Sequence, residues 1–300
     1  MTWQVAVFLQ TFFAAFHLLL SRKVATMPRV AKHLNIVNAG DNTVMFLCGL
    51  LIAPFFGGVS TQDFTRNIAL FVGVAGAFTV GSAFLYKSMT YLESGTSALL
   101  QTLSTIFTIV FAVLLLGENL SPVQLVGFCL ILPSVTYVLL LAKDESSSTK
   151  SLKTRNTGFT KGVTYSLIGS LCIGIGAVAQ KYLLDRVSIG SFITFAWLLQ
   201  SLIAIAIILP AHKNIRPFLA RKSIKSSVLS LGLLRASGIL LFLVAQRLSD
   251  SVSIIAVLSN FRIIIIAVLA AWLLKERRHF YRKLAAGCIT VLGLSIIFAS

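Results

Sequence analysis

Long apolar stretches, separated by short polar ones, recur along the whole chain. A helix that crosses a bilayer needs about 20 mostly apolar residues. Ten windows meet that length: 3–21, 43–60, 68–86, 95–116, 122–142, 162–183, 188–210, 225–246, 252–274 and 282–299. Most connections between them are short, so consecutive helices should run antiparallel. Two connections are longer and basic. The Ser- and Lys-rich KDESSSTKSLKTRNTGFTK (143–161) predicts a flexible linker. AHKNIRPFLARKSIK (211–225) carries a Pro and an amphipathic pattern, which fits a short helix lying in the interface or a solvated loop.

Composition turns this pattern into a class. Of 300 residues 57% are hydrophobic, where a soluble domain has roughly 45–50%. The expectation is an all-α, multi-pass integral membrane protein with no separate soluble domain, in a cell membrane of the bacterial inner-membrane kind. The net charge of +17 does not mark a nucleic-acid partner, because the basic residues sit in short loops between spans. Loops after odd-numbered windows hold 20 of the 26 Lys and Arg. The positive-inside rule then puts those loops in the cytoplasm and both termini outside. The first window has no basic residue before it and ends in SRK, which predicts a retained span rather than a cleaved leader. Cys48, Cys129, Cys172 and Cys288 have unrelated spacings and fit neither a disulfide framework nor a metal motif.

The windows fall into two sets of five. FLYKSMTYLESGTSALLQTLSTIFTIVFAVLLLGENLSPVQLVG matches FLVAQRLSDSVSIIAVLSNFRIIIIAVLAAWLLKERRHFYRKLAAG in pattern. Lys23 and Lys181, Phe84 and Phe242, and Glu118 and Glu276 all pair at a separation of 158. Five is odd, so the second copy enters the membrane from the opposite side. The predicted fold is ten transmembrane helices as two inverted five-helix repeats, 1–142 and 162–300, joined by the polar linker 143–161. Inverted repeats are typical of secondary transporters, whose solute site lies near the midplane between the halves.

ALLQTLSTIFTIVFAVLLLGENLSPVQLVGFCLIL, with its weaker second copy ending AVLAAWLLKE, resembles the drug/metabolite transporter superfamily, and more closely its EamA-like branch. That resemblance implies a central cavity surrounded by spans 1–4 and 6–9, with spans 5 and 10 at the periphery, and it implies export. The family often has Pro in the fourth and ninth spans, fourteen residues before the Glu; Ser104 and Arg262 stand there in this chain. The family is also usually drawn with cytoplasmic termini, opposite to the charge distribution.

No Asp or Glu falls within the cores of the ten windows, whereas two arginines do, Arg235 and Arg262, each close to the middle of its span. A charge at that depth costs roughly 3 kcal/mol on insertion scales. Two guanidinium groups without a buried carboxylate would repel each other and bind carboxylate or phosphate through paired, charge-assisted hydrogen bonds. The expected substrate is therefore a small organic molecule that is anionic or carries an anionic group, with Arg235 and Arg262 holding it. The bland alternative has each Arg bonded to backbone carbonyls, Gln101 or hydroxyls. His17, the imidazole within a window, could relay a proton. Gln101, Asn260 and Tyr86 are further substrate-binding candidates, with Gln10, Gln180 and Trp197 as weaker ones. Glycines at 73, 76, 81, 169, 174, 176 and 232 suggest close helix packing. GVAGAFTVG lies within a span and is no nucleotide fingerprint. No cofactor or metal is expected; the partners are the solute, the bilayer and a coupling ion or counter-substrate. The rivals are an amine or drug exporter and a membrane-embedded lipid-processing enzyme. The enzyme reading lacks a His, Asp or Glu cluster at a membrane face, and an enzyme is not expected.

Overall fold

The computed structural model describes residues 2–117 except 29 and 32, scattered positions between 121 and 140, and residues 152–211, 222–249, 252–274 and 280–299. Among the described residues every regular element is helical. The first repeat contributes α1 (Trp3–Ala25), α2 (Leu34–Ile52), a six-residue α3 (Thr61–Arg66), α4 (Ile68–Ser88), α5 (Ser94–Gln101) and α6 (Leu103–Leu116). The second contributes α7 (Leu152–Leu184), α8 (Ile189–Ile208), α9 (Lys222–Leu248), α10 (Val252–Leu258), α11 (Arg262–Leu273) and α12 (Phe280–Ala299). Seven segments are long and apolar enough to cross a membrane: Trp3–Ala25, Leu34–Phe56, Ile68–Ser88, Ser94–Leu116, Gly158–Leu184, Ile189–Ile208 and Ser223–Leu248. Ser259–Leu273 is a shorter apolar segment. The expected fifth span falls in the sparsely described stretch, and residues 143–151 and 212–221 lie outside the described residues.

The polarity of the bundle is that of a protein in lipid. Phe8, Leu51, Phe55, Leu114 and Trp272 point outward and are exposed, while Asn38, Asp41, Asn42, Gln101 and Asn260 are buried. A water-soluble domain buries the apolar set instead.

Four elements differ from the sequence expectation. The second span runs from Leu34 through Phe56, where 43–60 was expected. Its end is set by backbone chemistry that hydropathy does not see. Pro54 opens a 3-10 turn over Ala53–Phe56, and Gly57 then takes φ 89°, a left-handed conformation that costs glycine nothing. Counting back a membrane's thickness from that stop brings Asn38, Asp41 and Asn42 into the helix. The fourth and ninth spans are each broken. Thr102 separates α5 from α6, and a 3-10 turn over Ser259–Phe261 separates α10 from α11. Finally, the second half of the expected linker is helical, because α7 begins at Leu152.

The 158-residue repeat governs the packing. α1 lies against α9 as α4 lies against α7, and α2 lies against α9 as α8 lies against α4. α6 crosses α10, and α5 correspondingly crosses α11. α2 and α8 are mutual equivalents and pack on each other. There Thr43 Oγ1 and Ser201 Oγ, 158 apart in sequence, hydrogen-bond at 3.0 Å. The breaks at Thr102 and around Asn260 are also equivalents, so the interruption belongs to the repeated unit. α12 touches α10, α11 and α5 and stays peripheral, as the family resemblance implied.

Some of the expected glycine contacts are real. A Cβ on Gly81 would sit 3.1 Å from the carbonyl oxygen of Gly169, and one on Gly169 would sit 3.0 Å from that of Gly81, so this pair lets α4 and α7 approach. A Cβ on Gly232 would clash with the Val44 side chain. Gly73 and Gly76, by contrast, have nothing within 4 Å among the described residues.

Candidate solute site

A cavity of about 230 Å³ lies between the repeats. α1, α4, α5, α6, α7, α9, the Ser259–Phe261 turn and α11 supply its walls, which are mostly apolar through Leu18, Phe78, Leu85, Ile173 and Phe242. α2 and α8 supply none of it, although spans 2 and 7 were expected around the cavity; they pack behind it. Five of the six sequence candidates line this space: His17, Tyr86, Gln101, Arg235 and Arg262. Asn260 does not. It is buried behind the wall and donates from Nδ2 to Thr105 Oγ1, and Thr105 is the group that faces the cavity. Of the weaker candidates, Gln10 lines the cavity. Gln180 instead donates to Gln246, and Trp197 is buried where α2 meets α8, its ring against Gly49.

The two arginines are in different electrostatic situations, and this corrects the sequence reading. Arg235 has a buried counter-ion. Its Nη1 donates to Asp41 Oδ2 at 2.8 Å, with the Asp41 side chain fully buried and that of Arg235 8% exposed. The same carboxylate oxygen accepts from the Tyr86 hydroxyl at 3.0 Å. His17 Nε2 stands 3.6 Å from it and 3.5 Å from the Tyr86 oxygen. Ser21 Oγ donates to the Tyr86 oxygen at 3.4 Å, completing a cluster drawn from α1, α2, α4 and α9. Among the described residues Asp41 Oδ1 has no hydrogen-bond partner.

Local sequence explains the cluster. Gly232 lets α9 come against α2 beside the Asp41 carbonyl oxygen, 3.1 Å from where a Cβ would stand. Arg235, three residues on, shares that face and meets the Asp41 carboxylate. On α2, Asn42 turns its amide onto the Asn38 carbonyl at 2.7 Å, and Ser82 of α4 donates to Asn38 Oδ1 at 2.9 Å, so the polar start of α2 is held inside the bundle. Asp41 was missed because it precedes the window expected for the second span. The Pro54–Gly57 stop was the signal that could have found it.

Arg262 is different. It is the first residue of α11, half-buried, and its side chain lines the cavity. Among the described residues it makes no ion pair with an acid. Its repeat equivalent, Ser104, lines the same cavity with Thr105 and Thr108. Asp41 and Arg235 cancel, so Arg262 leaves the described cavity wall with one uncompensated positive charge.

The model of the EamA-like transporter family matches residues 1–140 and 160–299, once on each repeat. A solved structure described only as "Crystal structure of protein" superposes with a TM-score of 0.64 at 15% identity, covering 97% of each chain. At that identity the likeness speaks to the fold alone. No curated protein matches.

Proposed function

The chain belongs to the EamA-like transporter family, and from that membership and the cavity we propose that it is a secondary transporter of a small organic solute carrying an anionic group. The observation that carries this reading is the contrast between the arginines: Arg235 is neutralised by Asp41, and Arg262 faces the cavity without an acidic partner among the described residues. A carboxylate or phosphate meeting Arg262 gains charge-assisted hydrogen bonds in a poorly solvated space, where they are strongest. Ser104, Thr105, Gln101 and Ser259 offer hydroxyl and amide groups beside it, and the apolar walls suit the rest of the solute. The two broken spans place their interruptions at this cavity, as discontinuous helices do in other secondary transporters. Export follows the family resemblance.

The test uses proteoliposomes loaded with a mixture of small organic anions, zwitterions and amines, with mass spectrometry of what leaves. Anions should leave wild-type vesicles selectively and be retained with Arg262→Ser. Selective loss of amines, unchanged by Arg262→Ser, would overturn the reading. The amine-exporter alternative has one observation in its favour, which is Asp41. Its unpartnered Oδ1 could accept from an ammonium group if Arg235 were displaced. Asp41 does not itself line the cavity, so the anion reading comes first.

A further inference from the structure

The cavity holds a titratable group that anion binding alone does not use. The His17 ring lines the cavity with its side chain 21% exposed, and Nε2 faces the Asp41 carboxylate. The helices packed on α1 bring few other charges to it. α2 brings Asp41, α4 brings Tyr86, α9 brings Arg235, and α11 brings Arg262 across the same cavity. α5 and α10 carry no titratable side chain. On α4, Lys87 lies over the Phe84 ring, and on α9, Lys225 is exposed. On α1 itself, Arg22 bonds the Met89 carbonyl at the helix end.

This arrangement suits the ring to carry a proton. Imidazole is the side chain that ordinarily changes charge between pH 5 and 8. Asp41 Oδ2, already shared by Arg235 and Tyr86, is within ion-pair reach of Nε2, and Oδ1 has spare lone pairs. With His17 neutral, the described wall carries one net positive charge; with His17 protonated, it carries two. A bound monoanion neutralises the first and stabilises the second, because opposite charges in one poorly solvated cavity reinforce each other. The coupling is reciprocal: whatever a proton does for the anion's affinity, the anion does for the proton's.

We propose that His17 is the proton-binding site of this transporter, loaded together with the organic anion so that the two cross as an electroneutral acid. The inference rests on the anion reading of Arg262 and adds the coupling ion. No bond in the solute changes. The proton moves from water onto an imidazole nitrogen on loading and returns to water on release.

The experiment uses the purified full-length chain and three permanently ionised probes of increasing size: methanesulfonate, benzenesulfonate and naphthalene-1-sulfonate. These anions take up no proton themselves, so any proton uptake on binding belongs to the protein. Calorimetry in two buffers of different ionisation enthalpy, from pH 5.5 to 8, gives affinity and proton stoichiometry together. For at least one probe, affinity should weaken as the pH rises across this range, by up to about tenfold per pH unit, the limit for one linked proton. Uptake should approach one proton per anion there, and His17→Gln should flatten both. Binding that depends on Arg262 but takes up no proton in the wild type overturns the His17 proposal and leaves the anion reading standing. Uptake that persists in folded His17→Gln or His17→Asn does the same. Failure of all three probes to bind, or binding unchanged by Arg262→Ser, overturns both. The wild-type stoichiometry decides even if the His17 variants do not fold.

Discussion

The two repeats share one packing plan but carry different chemistry at matching places. Adding or subtracting 158 takes Asp41 to Leu199, Arg235 to Ala77, Tyr86 to Val244 and His17 to Ile175. A hydrogen-bonded ionic cluster in one half is thus an aliphatic patch in the other. The scaffold contacts, by contrast, are repeated: α1 on α9 matches α4 on α7, and the breaks at Thr102 and Asn260 correspond. Repetition therefore governs where helices cross and where they are interrupted, while charge is added to one side only. The Asp41–Arg235 pair also joins the first repeat to the second.

The largest expected effect comes from breaking the pair on one side. Asp41→Ala or Arg235→Ala leaves an unpaired buried charge, which typically costs about 3–5 kcal/mol; thermal melting of the purified protein in detergent would read the loss. Copying the other half, with Asp41→Leu and Arg235→Ala together, should recover most of it, since replacing a whole buried pair by apolar groups is often neutral. Next comes the close approach that seats Arg235. Gly232→Leu must push α9 off Val44 and should cost about 1–3 kcal/mol, whereas Gly73→Leu, facing open space, should melt like the wild type. Tyr86→Phe removes a hydrogen bond to a charged acceptor and should cost about 1.5 kcal/mol. Smallest is Thr43→Val at the junction of α2 and α8, where interhelical hydrogen bonds in membrane proteins average about 0.6 kcal/mol.

How much of this was legible in the sequence depended on the kind of signal. Spans built from uninterrupted apolar residues, such as α1, α4 and α8, emerged from hydropathy, and charged punctuation in register exposed the repeat. Arg235 and Arg262 stood out as charges at depth, and both do line the cavity. The second span was misplaced because LNIVNAGDN reads as polar loop, while APFFGG reads as apolar helix. In the structure Asn38, Asn42 and Asp41 find partners inside the bundle, and Pro54 and Gly57 end the helix. That one shift hid the counter-ion of Arg235, and with it the asymmetry between the arginines. The breaks at Thr102 and Ser259–Phe261 were also illegible, since neither has a Pro or Gly beside it to mark it.

The asymmetry is tested most directly by measuring the affinity of one bound organic anion in two variants. One is Arg262→Ser, which copies the repeat equivalent Ser104. The other is the double variant Asp41→Leu with Arg235→Ala, which copies Leu199 and Ala77. Binding lost in the first and kept within a few-fold in the second is the result expected if Arg262 carries the free charge and Arg235 is already spent. Binding kept with Arg262→Ser and lost in the double variant would contradict it, and would return the solute to Arg235.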